Sequence, residues 1–97
     1  MQTLTIEDEL TIFTAADQKT NLLNFLSSGD DLEINLSRVV EMDTAGLQLL
    51  ILIKREAART SKQLSFVMHS KAVLDVLDLA NLATAFGDQV VLAHNEG

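Results

Sequence analysis

The 97-residue chain has no cysteine, no proline, no tryptophan and no tyrosine. The lack of cysteine excludes disulfides, thiolate metal sites and cysteine nucleophiles, and it fits a reducing compartment. Long apolar runs are lacking too, because the longest strong one, at residues 49–53, is far too short to span a bilayer. Residues 7–9 are acidic where a signal peptide would be basic, so we expect a cytoplasmic protein without direct membrane insertion.

Positive charge is scarce as well. The chain carries 7 Lys and Arg against 14 Asp and Glu, which gives a net charge of -7 at pH 7. Phosphate repulsion then argues against a nucleic-acid partner, and the same repulsion argues against an anionic membrane surface. The excess of acidic over basic residues fits a protein whose partner is a more basic protein.

Alternation of polar and apolar residues, partial in the second case, predicts four strands at residues 3–6, 10–13, 32–36 and 64–68, and the apolar run at 90–92 predicts a fifth. The acidic residues 7–9 between the first two strands predict a tight turn, so the chain is expected to open with a β-hairpin. Helical spacing predicts three helices. The first begins near Thr14 or Asp17, the second runs from about Thr44 to Thr60, and the third follows an N-cap at Ser70.

The element order β-β-α-β-α-β-α-β predicts an α/β fold with a mixed, mostly parallel sheet and about three helices, in a single domain spanning residues 1–97. The apolar residues of the central strands should form the core together with apolar residues of the helices. The predicted strand members are Leu32, Ile34, Leu36, Leu64 and Phe66, and the predicted helix members are Leu22, Leu26, Leu50, Ile51, Val73 and Leu77.

The most informative segment is residues 36–47, where a strand ends, the chain turns and the second helix begins. Thr44 lies at the start of that helix, where unpaired backbone N–H groups favour negative charge. Thr44 is therefore a candidate phosphoacceptor, although a helix cap is the alternative. Asp43 is itself a plausible cap, and this redundancy favours the phosphoacceptor hypothesis for Thr44.

Gly46 falls in the first turn of the helix, where glycine costs about 1 kcal/mol relative to alanine. Such a glycine indicates close approach by another backbone, which belongs either to this chain or to a partner. The apolar residues at 47–53 exceed one helical face. Neighbouring helices are expected to cover most of them, and an apolar partner surface beside Thr44 is the alternative.

The sequence gives little support for a metal site or for a set of catalytic residues. His69 and His94 have no second histidine or carboxylate at ligand spacing, so we expect no metal site. No Ser-His-Asp arrangement and no glycine-rich phosphate loop can be argued from the residues. The sequence therefore predicts a protein without catalytic residues or cofactors.

Two stretches carry a family resemblance: INLSRVVEMDTAGLQLLILIKREA, which contains the Asp-Thr-Ala-Gly-Leu step at 43–47, and LSFVMHSKAVLDVLDLANL. On these residues and on the element order, the chain resembles the STAS domain family, named for sulfate transporters and anti-sigma factor antagonists. The resemblance covers nearly the whole chain and suggests a stand-alone member of the antagonist type. The family hydroxyl at position 44 is more often serine.

The resemblance implies a non-enzymatic protein-binding switch in bacterial signalling that docks on a histidine-kinase-like ATPase. In such proteins the kinase phosphorylates the residue matching Thr44, which weakens docking, and a phosphatase restores it. The implied partner-binding residues are Asp43, Thr44, Ala45, Gly46, Leu47 and Gln48. The alternative that the resemblance implies is a STAS subunit of an ATP-driven lipid transporter, in which the same segment binds the ATPase subunit.

Overall fold

The structure is a computed structural model and describes residues 1–80 of the chain. Its elements, in order, are β1 (Gln2–Thr5), β2 (Asp8–Leu10), α1 (Ala15–Leu26), β3 (Asp31–Asn35), β4 (Val39–Met42), α2 (Thr44–Arg59), β5 (Gln63–Val67) and α3 (Lys71–Ala80). The α/β class with parallel pairing and three helices is confirmed. The predicted strand at 90–92, like His94, lies outside the described residues.

A three-stranded parallel sheet in the order β1-β3-β5 forms the centre of the structure. Its register aligns Leu4 with Ile34, and Ile34 with Phe66, so that one row of apolar side chains crosses the three strands. The chain passes through α1 between β1 and β3 and through α2 between β3 and β5. Parallel neighbours need such crossovers, because a tight turn can join only antiparallel strands.

The predicted opening hairpin is wrong. β1 pairs with β3, and β2 pairs in parallel with β4 in a separate two-stranded sheet. Asp8 and Glu9, which the sequence predicts as a turn, belong to β2. Asp8 adopts a positive φ of 68°, and the register shifts between Asp8 and Glu9. The chain therefore changes direction at Asp8, which allows β2 to leave the sheet that contains β1.

Strand β4 is absent from the sequence prediction, which interprets residues 39–42 as part of a turn. Only Val39 of its four residues is fully buried, while Val40 and Glu41 are exposed. This weak alternation gives little strand signal in the sequence. The strand is held instead by its pairing with β2 and its contact with α3.

The predicted core is confirmed. All five predicted strand residues are buried, and so are Leu22, Leu26, Leu50, Val73 and Leu77, while Ile51 is half-buried at the edge. Helix α2 packs against both α1 and β5, and α3 packs against β4. Ser70 caps α3 as predicted, since its Oγ accepts a hydrogen bond from the Val73 N–H at 3.3 Å. Within residues 1–80, no helix combines the length and the apolar character needed to cross a membrane.

Candidate functional site

Thr44 is the first residue of α2, and its side chain is exposed. The residue before it, Asp43, has an extended backbone conformation and supplies the helix cap, as its Oδ1 accepts a hydrogen bond from the Gly46 N–H at 3.1 Å. The helix ladder starts in the same place, with the Leu47 N–H donating to the Asp43 carbonyl oxygen at 3.1 Å. Capping therefore does not require the hydroxyl of Thr44.

The second oxygen of the Asp43 carboxylate makes a long-range contact. Oδ2 accepts a hydrogen bond at 3.0 Å from the N–H of Ile12, in the loop between β2 and α1. The Ile12 N–H, followed by the backbone N–H groups of Gly46 and Ala45, holds the pKa of Asp43 below its usual value. The carboxylate thus remains charged at neutral pH and ties the β2–α1 loop to the start of α2.

Gly46 is required by internal packing. A Cβ at this position would lie 2.0 Å from the carbonyl oxygen of Leu10 at the end of β2. The same carbonyl accepts a hydrogen bond from the Asp43 N–H at 3.4 Å. Of the two alternatives left open by the sequence, close approach by the chain's own backbone is therefore the one that the structure shows.

The six residues implied as partner-binding separate into two groups. Thr44 and Gln48 are exposed, and Asp43 and Ala45 are half-buried at the same end of the helix. The other two, Gly46 and Leu47, are buried beneath this surface and support it from inside.

Beyond this segment, most of the apolar residues of α2 are covered, as expected. Leu49, Leu50 and Ile53 are buried, whereas 41% of Leu52 is exposed. Leu52 follows Thr44 and Gln48 at intervals of four residues, which places the three residues on one face of α2. An exposed strip therefore continues from Thr44 along the helix.

Sequence reasoning missed the exposure of three apolar residues, two in the loop that bonds to Asp43 and one in a groove with Thr44. Ile12 is 69% exposed and Phe13 is 87% exposed in the loop that Asp43 holds. On another side, Leu79 of α3 is 89% exposed and lines a shallow groove of about 410 Å³ together with Thr44. The alternation at residues 10–13 predicted a strand there, and the exposure follows from the turn that replaces it. Large apolar side chains left exposed together are typical of a protein-binding surface.

No group of three or more His, Asp or Glu residues within residues 1–80 lies close enough together to hold a metal ion. His69 is buried at the beginning of the α3 segment. The features that distinguish the site are thus an exposed hydroxyl at a helix start, a fixed carboxylate beside it and apolar side chains around both.

Comparison with known proteins places the chain by its family and fold. The family model described as "Mlab, STAS domain" matches residues 1–92. Among solved structures, the fold is similar to that of a Thermotoga maritima protein proposed as an anti-sigma factor antagonist, with a TM-score of 0.76 and 24% sequence identity over 92% of this chain and 76% of that one.

A second similar structure is the anti-sigma factor antagonist SpoIIAA in its unphosphorylated form, with a TM-score of 0.69 and 17% identity over 97% of this chain and 79% of that one. At these identities the likeness shows a shared fold. The search of curated proteins finds no significant match.

Proposed function

The chain belongs to the STAS domain family, and from this membership we propose that it is a non-enzymatic protein-binding module that docks on an ATPase partner through the surface around Thr44. In the favoured form of this proposal, the partner is a histidine-kinase-like regulator of the anti-sigma type. Phosphorylation of Thr44 then weakens docking, and a phosphatase restores it.

One observation carries the proposal: Thr44 is exposed at the start of α2 while Asp43 does the capping. A hydroxyl that capped the helix would be occupied and would resist modification without local unfolding. The Thr44 side chain is accessible to an incoming kinase without any change in the helix. The exposed apolar residues Ile12, Phe13 and Leu79 supply the area that a docking partner would cover.

Phosphorylation would act mainly through charge. A phosphate on Thr44 adds roughly -1.5 to -2 charges and three strong acceptor oxygens. The Asp43 carboxylate is already ionised beside it, and Glu41 is exposed two residues further back. A partner adapted to the neutral hydroxyl would therefore meet a concentrated negative charge against its apolar contacts, at a high cost of desolvation.

The test compares binding of the wild-type protein, Thr44→Glu and Thr44→Ala to the purified ATPase partner by isothermal titration calorimetry. Thr44→Glu should bind about tenfold more weakly or worse, and Thr44→Ala should bind normally but escape phosphorylation. An acid at a helix start is favoured by about 0.3–1 kcal/mol through the helix dipole, so Thr44→Glu should melt at a near-normal temperature.

Thr20→Glu is the matched control, because Thr20 is an exposed threonine in the middle of α1 and undergoes the same change of charge. The decisive arm uses protein phosphorylated by the partner kinase, with the modified residue identified by mass spectrometry. Phosphate on a different residue, or unchanged affinity of the Thr44-phosphorylated protein, would contradict the gating.

The second candidate is a constitutive STAS subunit of an ATP-driven lipid transporter. We retain this second candidate because the matching family model is described as "Mlab, STAS domain", and that description does not name an antagonist. Both candidates use the Thr44 surface to bind an ATPase. The two candidates differ when ATP is added to the purified complex. The antagonist should acquire phosphate on Thr44 and dissociate, whereas the transporter subunit should stay bound and unmodified, which size-exclusion chromatography followed by mass spectrometry would reveal.

A further inference from the structure

The exposed strip that continues from Thr44 along α2 leads into a surface that residues of α2 line along its length and residues of α1 line at one end. Two shallow depressions of about 430 and 330 Å³ share Gln48 and Leu52 and therefore form one groove. We name it the α1–α2 groove; its lining includes the apolar residues Ala15, Ala45 and Leu52 and the basic residues Lys19, Arg55 and Arg59.

The dimensions of the groove match a helix. Ala45 and Arg59 stand at its two ends along α2, and 14 residues of helix at 1.5 Å each span roughly 21 Å, or four turns. Short alanine side chains on both helices leave room for a partner to approach closely. Leu52, at 41% exposure, and the half-buried Ile51 offer apolar contact in the middle of the groove.

The charge of the groove is opposite to that of the protein. In a chain of net charge -7, three of the 7 basic residues line this groove. The one acid that lines it, Glu56, is paired with Arg59, whose Nε donates to Glu56 Oε1 at 3.0 Å. Within residues 1–80, neither Lys19 nor Arg55 forms an ion pair, so two positive charges remain available there.

We propose that the α1–α2 groove binds an acidic amphipathic helix of a partner protein, with apolar side chains on Leu52 and carboxylates against Lys19 and Arg55. A lining that combines apolar and cationic side chains selects this chemistry, because the partner helix can bury one face and pair its acids at the same time. A second copy of this acidic chain fits less well, since its net charge of -7 repels another copy. The groove shares Ala45 and Gln48 with the surface proposed to dock the ATPase, whereas Lys19, Arg55 and Leu52, on which this proposal rests, lie outside the six residues implied as partner-binding.

The test uses a synthetic peptide of about 16 residues, with leucines at i, i+3, i+4 and i+7 and glutamates on both flanks, closed by a side-chain lactam to hold the helix. A twin peptide carries lysine in place of every glutamate. Each peptide is titrated into the ¹⁵N-labelled full chain, and amide shifts give both the binding site and the Kd. The acidic peptide should shift amides of the facing sides of α1 and α2 and bind at least about tenfold tighter than its twin.

Arg55→Glu should weaken binding of the acidic peptide about tenfold and improve binding of the lysine twin. Arg38→Glu is the matched control, because Arg38 is exposed, lies outside the groove and undergoes the same change of charge. Leu52→Gln should weaken both peptides, which separates the apolar contribution from the ionic one.

Three results would overturn the proposal. The first is equal affinity of Arg55→Glu and Arg38→Glu for the acidic peptide. The second is amide shifts confined to residues outside the groove. The third is concentration-dependent shifts of the same groove amides without any peptide, together with dimer in sedimentation, because that would assign the groove to a second copy of the chain.

Discussion

The two ends of α2 are built in different ways. At its start, a short side chain and two backbone segments fit together closely: Asp43 bonds Gly46 and Ile12, and the Leu10 carbonyl lies against Gly46. Its later half instead carries long cations, which reach out by flexible chains, as in the Arg59–Glu56 pair. The first end depends on close steric fit and short hydrogen-bonded contacts, and the second depends on charge. Substitutions should therefore have large effects at the start of α2 and small ones near its end.

The largest effect is expected for Gly46→Ala. Its Cβ would lie 2.0 Å from the Leu10 carbonyl oxygen, and backbone cannot move aside as a flexible side chain can. Overpacking of this kind costs about 1–3 kcal/mol or more, which outweighs the gain of about 1 kcal/mol in helix propensity if the backbone does not relax. Chemical denaturation should show a clear fall in the free energy of unfolding.

Gly29→Ala is the control for this prediction. A Cβ at Gly29 would meet its nearest neighbour, Gln2 Cγ, at 3.4 Å, which is an ordinary contact. We expect its free energy of unfolding to stay within about 0.5 kcal/mol of the wild type. If both alanine variants were equally stable, the start of α2 would not be as tightly constrained as the structure indicates.

A middle-sized effect is expected for Asp43→Asn. Asparagine still caps a helix, but it has one oxygen in place of two, so Ile12 or Gly46 loses its acceptor. The melting temperature at pH 7 should fall by about 4–8 °C. Circular dichroism recorded during heating would measure this fall in melting temperature.

The pH dependence of the same variant sharpens this prediction. Because the folded pKa of Asp43 is lowered, its carboxylate stabilises the protein above the ordinary pKa of about 3.8, and this contribution is lost as the pH falls through the folded pKa. The difference in melting temperature between wild type and Asp43→Asn should therefore shrink from pH 6 towards pH 3. If the difference in melting temperature stayed constant over this pH range, the charge of Asp43 would not contribute to stability.

The smallest effect is expected for Glu56→Gln, which removes the ion pair with Arg59 near the end of α2. Arg59 is exposed, and the pair lies one turn apart on the helix surface. Exposed pairs contribute little, so the melting temperature should change by less than about 2 °C. The same variant should bind the acidic peptide slightly more tightly, because Arg59 is released. A large loss of stability in Glu56→Gln would contradict the expectation that substitutions near the end of α2 have small effects.

Local patterns predicted α2 well. Its predicted span, from about Thr44 to Thr60, agrees with the observed Thr44–Arg59, because the capping residue and the apolar spacing are encoded next to each other. The same holds for the alternation in β3 and β5 and for the cap at Ser70. The exposure of Thr44 could be predicted for the same reason.

Pairing between distant segments could not be predicted in this way. Alternation at residues 3–6 indicates a strand but not its partner. The sequence therefore predicts that β1 pairs with β2, whereas β1 in fact pairs with β3 and β2 with β4, each across a crossover. Ile12 and Phe13 lie in a loop whose backbone bonds to Asp43, 31 residues beyond Ile12, and local alternation does not reveal such a contact. Gly46 indicated a nearby backbone, but only the structure identifies it as Leu10.

The contacts of the Leu10 carbonyl and the Asp43 carboxylate have a consequence for the order of folding. Both connect the end of β2 with the start of α2 across more than 30 residues, so neither can form until the long intervening loop has closed. The middle of α2 can form earlier from its own residues. We therefore expect its first turn, which bears Thr44, to be completed late in folding and to open more readily than the helix centre, as faster amide hydrogen exchange at residues 45–47 than at residues 50–53 would reveal.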